Sequence, residues 1–208
     1  MTTTATTYTN PFAEIIENSI KLAVARSMRV WEHSPFHDLL ELSNDERGYW
    51  GEELLCNLLS YYFPGLPITW DKNSNTGNLN GIYDILINSK RTEVKTAMEG
   101  TTTKTFQHEN IYAAKVWDFL MLIDVVPTGI FFTVETHESM EQVFLNFQHP
   151  VWKKKGTLRK GQTDKWKFDH SHASLERTMA HGSTCFAEYL NEDDAAKFVN
   201  LIEKYFIN

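Results

Sequence analysis

The sequence predicts an α/β fold with a central mixed β-sheet flanked by helices. Three observations carry this expectation. Apolar residues recur at helical spacing near both ends of the chain. Four short runs between residues 82 and 136 are rich in β-branched and aromatic side chains, and clusters of Asn, Gly and Pro separate several of these elements. At 208 residues, 42% apolar and 23% charged, the composition suits one globular domain with a sizeable core.

Residues 1–10 are low in complexity and apolar content and read as a flexible tail, leaving 11–208 as a single domain. Asn10-Pro11 suits a helix start, and Phe12, Ile15, Ile16 and Ile20 follow at helical spacing until Trp31–Pro35 breaks the run. A second helix is expected from about Asp45 to Tyr62. Its apolar stripe is Trp50, Leu54, Leu55, Leu58 and Tyr62, and Gly51 lets it lie close to a sheet. Pro64 and Pro67 end it, and 71–80 is a polar loop. Ile82–Ile87 and Thr92–Ala97 read as strands joined by a turn over Asn88–Arg91. Phe106 to about Lys115 suggests a short helix. Asp118–Val126 and Gly129–Thr136 are buried strands, and 138–147 a further helix. An irregular stretch rich in His and Ser follows, before Asn191–Asp194 caps a final helix carrying Phe198, Val199, Ile202 and Phe206.

Composition excludes several functions. No apolar run is long enough for a membrane-spanning helix. The first 30 residues lack a basic segment followed by a continuous apolar stretch, so a cytoplasmic protein is expected. Two cysteines, Cys56 and Cys185, make no disulfide framework and suit reduced thiols. No Gly-rich phosphate loop supports an ATP-driven activity. The net charge is −7, but it is unevenly spread. Between Pro150 and Lys167, Lys153, Lys154, Lys155, Arg159, Lys160, Lys165 and Lys167 face only Asp164, a net +6 that leaves the rest of the chain at −13. Such a segment suits either a polyanion contact or a solvated loop. Trp152 and Trp166 bracket it and suit packing onto the body better than wedging between bases.

The chemistry concentrates on the hairpin. If Ile87 pairs with Thr92, Asp84 lies across from Lys95 and Leu86 from Glu93, and period-two alternation puts all four on one face. Opposed side chains then begin only about 5 Å apart. Two carboxylates and one ammonium on such a patch suit either a structural ion pair or a divalent-metal site. Magnesium resolves the repulsion of the carboxylates and keeps room for a phosphate.

The pattern Gly81-Ile-Tyr-Asp84, eight residues, then Glu93-Val-Lys95 resembles the PD-(D/E)xK nuclease superfamily, the restriction-endonuclease-like fold. Gly48-Tyr-Trp-Gly-Glu52 resembles that family's helix glutamate before the hairpin, with Glu53 a rival. Phe106-Gln107-His-Glu-Asn110-Ile111 resembles its glutamine segment after the hairpin, and Trp117-Asp118 the strand that follows. Tyr83 stands where proline usually precedes the aspartate. The resemblance covers about residues 45–136 and leaves 137–208 as additions suited to DNA recognition. It implies that Asp84, Glu93 and the Val94 carbonyl bind Mg2+, for which Mn2+ substitutes, while Lys95 assists the nucleophile. Glu52 would support a second metal position or a water, and Gln107 would sit near the scissile phosphate. A site-specific endonuclease of the type II restriction class, acting on double-stranded DNA as a homodimer, is the implied activity. The alternatives are a structure-specific repair nuclease and a DNA-binding protein without chemistry.

His170, His172 and His181, with Cys185 downstream, fit no standard zinc spacing, and the histidines are expected to be exposed or to face DNA. His108 is expected on the surface at a helix start.

Overall fold

The computed structural model describes residues 15–22, 30–70, 83–112, 117–146, 157–158, 165–189 and 191–208. The expected flexible tail, the helix start at Asn10 and the loop at 71–80 lie outside them. Helix α1 (Asn44–Tyr62) opens on a reciprocal cap. The Glu46 N–H donates to the Ser43 hydroxyl and the Ser43 N–H donates to the Glu46 carboxylate, 3.3 and 2.8 Å. It ends two residues before Pro64. Its buried side is Gly51, Leu55, Cys56 and Leu59, with Trp50, Leu54 and Leu58 half-buried beside them.

In chain order the strands are β1 (Ile68–Trp70), β2 (Ile85–Ile87), β3 (Lys90–Met98), β4 (Thr105–Tyr112), β5 (Phe119–Val126), β6 (Gly129–Thr136), β7 (Thr157–Leu158), β8 (Lys165–Ser171) and β9 (Thr184–Glu188). Further helices are α2 (His137–Asn146), α3 (His172–His181) and α4 (Glu192–Ile202), the last capped by Asn191 and continued by a π-helical turn, Glu203–Ile207. The central sheet runs β1-β2-β3-β5-β6-β9, and a smaller sheet runs β4-β8-β7. Only the β3–β5 pairing is parallel, so the central sheet is mixed.

A parallel neighbour needs a crossover of a dozen or more residues, usually helical. Here the crossover contains β4, and the expected helix from Phe106 to Lys115 is corrected to a strand. Its backbone pairs antiparallel with β8. Phe106, His108 and Ile111 turn inward, and Asn110, at φ 58°, marks a register shift that breaks the alternation. The stretch expected to be irregular is corrected as well. Strand β8, helix α3 and strand β9 fill it, with Ser171 capping α3 and Gly182 closing it at φ 78°.

Two apolar layers follow from the alternation. On one face of the central sheet Val94, Met121, Ile123 and Val125 pack with Leu55 and Leu59 of α1 and with Phe198, Ile202 and Phe206. On the other face Leu120 and Leu122 meet Ile111, Trp117, Met140 and Trp166, so the small sheet and α2 cover it. Helices therefore flank the central sheet, and a second sheet shares one side. At its lower end β3 is tied to β5 by Arg91, whose guanidinium donates twice to the Asp118 carboxylate, at 2.6 and 3.0 Å. Cys56 and Cys185 are buried and form no disulfide. Among the described residues no helix is long and apolar enough to cross a membrane.

Candidate functional site

The β2–β3 hairpin closes on two residues, Asn88 and Ser89, with φ of 47° and 64°. Both lie in the left-handed region that a tight turn of this hand requires. Ile87 therefore pairs with Lys90, and Leu86 with Arg91, correcting the expected pairing of Ile87 with Thr92. The tighter turn matches the right-handed twist of the strands and needs no four-residue loop. The difference is two residues, an even number, so the faces are kept. Asp84 and Lys95 still converge.

The Asp84 carboxylate accepts the Val94 N–H at 2.7 Å. Glu93 is fully buried, and the Lys95 ammonium donates to its Oε1 at 2.6 Å. The same ammonium donates to the Val94 carbonyl at 3.1 Å and lies 3.8 Å from Asp84 Oδ2. It thus stands against oxygens from each of the three residues that the resemblance assigns to a metal. Burial works against its charge, yet Glu93 and Asp84 outweigh burial and hold its pKa above the ordinary lysine value.

Glu52 arrives from α1. Its position depends on Gly51, where a Cβ would stand 1.9 Å from Thr96 Oγ1 on β3. The helix can therefore approach the sheet closely only with glycine there. The Trp70 indole N–H donates to Glu52 Oε2 at 2.9 Å. Burial, then the Asp84 charge, push the Glu52 carboxyl up to about 7. Glu52 and not Glu53 lines the cleft beside Asp84 and Lys95. Three carboxyls against one ammonium leave surplus negative charge at neutral pH. The donor set is oxygen throughout, carboxylates and one backbone carbonyl, which suits a hard divalent cation such as magnesium.

Asp84, Glu52, Val94 and Lys95 line a cleft of about 930 Å³ between the α1 side and the small sheet, and Glu93 is buried against Lys95. Gln107 lines its far wall from strand β4, not from a helix start. Lys167 reaches the same wall, donating to Gln107 Oε1 at 3.3 Å and pairing with Glu109 at 3.0 Å. Lys153, Lys154, Lys155, Arg159 and Lys160 lie outside the described residues, and of Lys165 only the backbone is described, in β8. Sequence reasoning missed Arg47, one turn before Gly51 on α1, which also lines the cleft. It placed His108 on the surface, but its inward position on β4 leaves it only 1% exposed, with Nε2 against Asp124 at 2.7 Å. The alternation Phe106-x-His108 carried that signal until Asn110 broke it.

No family model, curated protein or solved structure matches this chain in the comparisons made. What the site does therefore rests on its own chemistry. An oxygen-rich patch with excess negative charge, one ammonium among the oxygens and an open cleft above it can hold a cation and receive an anionic ester.

Proposed function

We propose that this protein is a magnesium-dependent endonuclease that hydrolyses phosphodiester bonds of double-stranded DNA. The observation that carries the reading is the convergence of Asp84, buried Glu93, Glu52 and the Val94 carbonyl around the Lys95 ammonium, beside an open cleft that Asp84, Glu52 and Lys95 line. The spacing of Asp84 and Glu93-Val94-Lys95 supports it, because it resembles the PD-(D/E)xK pattern.

Asp84, Glu93 and the Val94 carbonyl would hold the ion, which when bound supplies a Lewis acid for a phosphoryl oxygen. The Lys95 ammonium, released from Glu93, steadies the attacking water and the charge that grows on phosphorus. Glu52, titrating near neutrality, is placed to take the proton that the water gives up. One P–O bond forms to water oxygen, one breaks, and the leaving oxygen takes a proton. Gln107 and Lys167 lie where a phosphate in the cleft would meet the far wall.

A type II restriction activity, sequence-specific and cutting both strands as a homodimer, is the finer form of this reading. It is favoured by the net +6 concentrated in one segment of an acidic chain. Digestion of supercoiled plasmid with and without magnesium tests it. Discrete fragments that require magnesium and vanish in Lys95→Ala are expected. Smearing, or preference for branched substrates, would move the reading to a repair nuclease. Binding without cutting would remove the enzyme altogether.

A further inference from the structure

A second convergence of titratable groups lies on the same face of the central sheet and plays no part in the proposed cleavage. Strands β4 and β8 pair with Phe106 opposite His170 and His108 opposite Phe168, so the two histidines are diagonal neighbours. Their rings lie 5.6 Å apart. Asp124 meets them from β5, whose partner on β3 at that level is the small Ala97, two residues beyond Lys95. His108 Nε2 stands 2.7 Å from Asp124 Oδ1, and His170 Nδ1 stands 3.1 Å from Asp124 Oδ2. All three are buried, with exposures of 1%, 0% and 2%.

A fully buried carboxylate costs several kcal/mol unless it is compensated. Burial alone would raise its pKa, but His108 and His170 outweigh burial and bring Asp124 down to about 2, so it is ionised at neutral pH. Each oxygen faces one imidazole nitrogen, and one donor atom from each of the three residues lies within 4.8 Å of the others. Two imidazoles and one carboxylate form a donor set used for zinc, with a fourth position left for water. The nitrogen donors favour a late first-row ion over magnesium. The trio adjoins the cleft through His108, which also lines it.

We propose that His108, Asp124 and His170 bind one divalent ion of the zinc class, at a site separate from the carboxylate patch at Asp84. The ion would take the place of the hydrogen bonds between the imidazoles and the carboxylate. It would also pin the small sheet to the central one, since its ligands come from β4, β8 and β5. The proposal does not depend on the nuclease reading.

The test begins with the full chain stripped by chelator, held in excess magnesium and titrated with zinc, and separately with cobalt. One zinc per chain by elemental analysis and ligand-field absorption with cobalt are expected. His108→Gln with His170→Gln should weaken zinc at least about 100-fold, whereas Asp84→Asn should leave it unchanged. Nitrogen NMR of the imidazoles in the unaltered chain guards against a variant that fails to fold. Zinc must shift two of the eight histidines, the buried pair. No retained zinc in the unaltered chain, or retention undiminished when both histidines are replaced, would overturn the site and leave a proton-bridged hydrogen-bond cluster.

Discussion

The carboxylate patch at Asp84 and the trio at Asp124 lie on one face of one sheet, yet they solve opposite electrostatic problems. At the patch, three carboxyls face one ammonium, and Glu52 and Lys95 reach a cleft. At the trio, one buried carboxylate stands between two imidazoles that can share its charge. The first cluster has surplus negative charge and solvent above it, so it suits a hard cation and a phosphate. The second is closed and rich in nitrogen, so it suits a proton or a zinc-like ion. Exposure and donor type, more than the count of acids, separate a site for chemistry from a clamp between sheets.

The largest effect is expected at Lys95. Lys95→Ala or Asp84→Ala should lower the cleavage rate about 1,000-fold or more while DNA binding largely survives, measured by single-turnover digestion and by band shift. Full activity in either variant would remove the patch from the chemistry. Gly51→Ala tests whether the patch depends on how closely α1 approaches β3. The added Cβ meets Thr96 Oγ1, Cβ and Cγ2, the latter two at 3.1 and 3.3 Å, so no turn of Thr96 makes room. A loss of about 2 kcal/mol is expected in urea unfolding, partly recovered by Thr96→Ala. Thr96 Oγ1 is itself buried without a hydrogen-bond partner among the described residues, so its removal costs little.

Glu52 sharpens the contrast through pH. Its carboxyl is raised from 4.5 to about 7, so between those values the folded state holds a proton that the unfolded chain releases. Stability therefore falls as pH rises through this window, and Glu52→Gln removes the fall. Thermal melts should show the variant more stable at pH 8, on the order of 2 kcal/mol after allowance for partial exposure, and little changed at pH 4. Magnesium should produce a similar gain in the unaltered chain. Equal pH profiles for variant and parent would mean that Glu52 is not held in surplus negative charge. The smallest effect is expected at the rim. Lys167→Glu should weaken DNA binding several-fold and flatten its salt dependence by roughly one unit of slope.

Much of this architecture is written locally. Ser43 and Glu46 bracket the start of α1, Asn191 caps α4, and the branched runs at β5 and β6 need no partner to be read. The convergence of Asp84 with Lys95 was legible too, because it depends on parity, and an error of two residues in the turn does not disturb parity. What escaped depends on distant pairing. The alternation of Trp166, Phe168 and His170 with Lys167 and Asp169 is a strand signal, but it falls in a run of charge that reads as solvated. In β4 a single left-handed residue, Asn110, masks the period. The trio then vanished from view, since His108 and His170 meet only once those strands pair and Asp124 reads as one more residue of a buried strand.

The distance along the chain between β4 and β8 has a kinetic consequence. The hairpin bearing Asp84 and Glu93 closes over two residues, whereas Gln107 meets Lys167 across 60 positions of chain. Closing the larger loop costs more entropy, so the floor of the cleft can assemble before its far wall exists. In pulse-labelled hydrogen exchange, amides of β2 and β3 should gain protection ahead of those in β4 and β8. During synthesis the carboxylate floor would emerge as an open shelf, and the cleft would take shape only when β8 arrives.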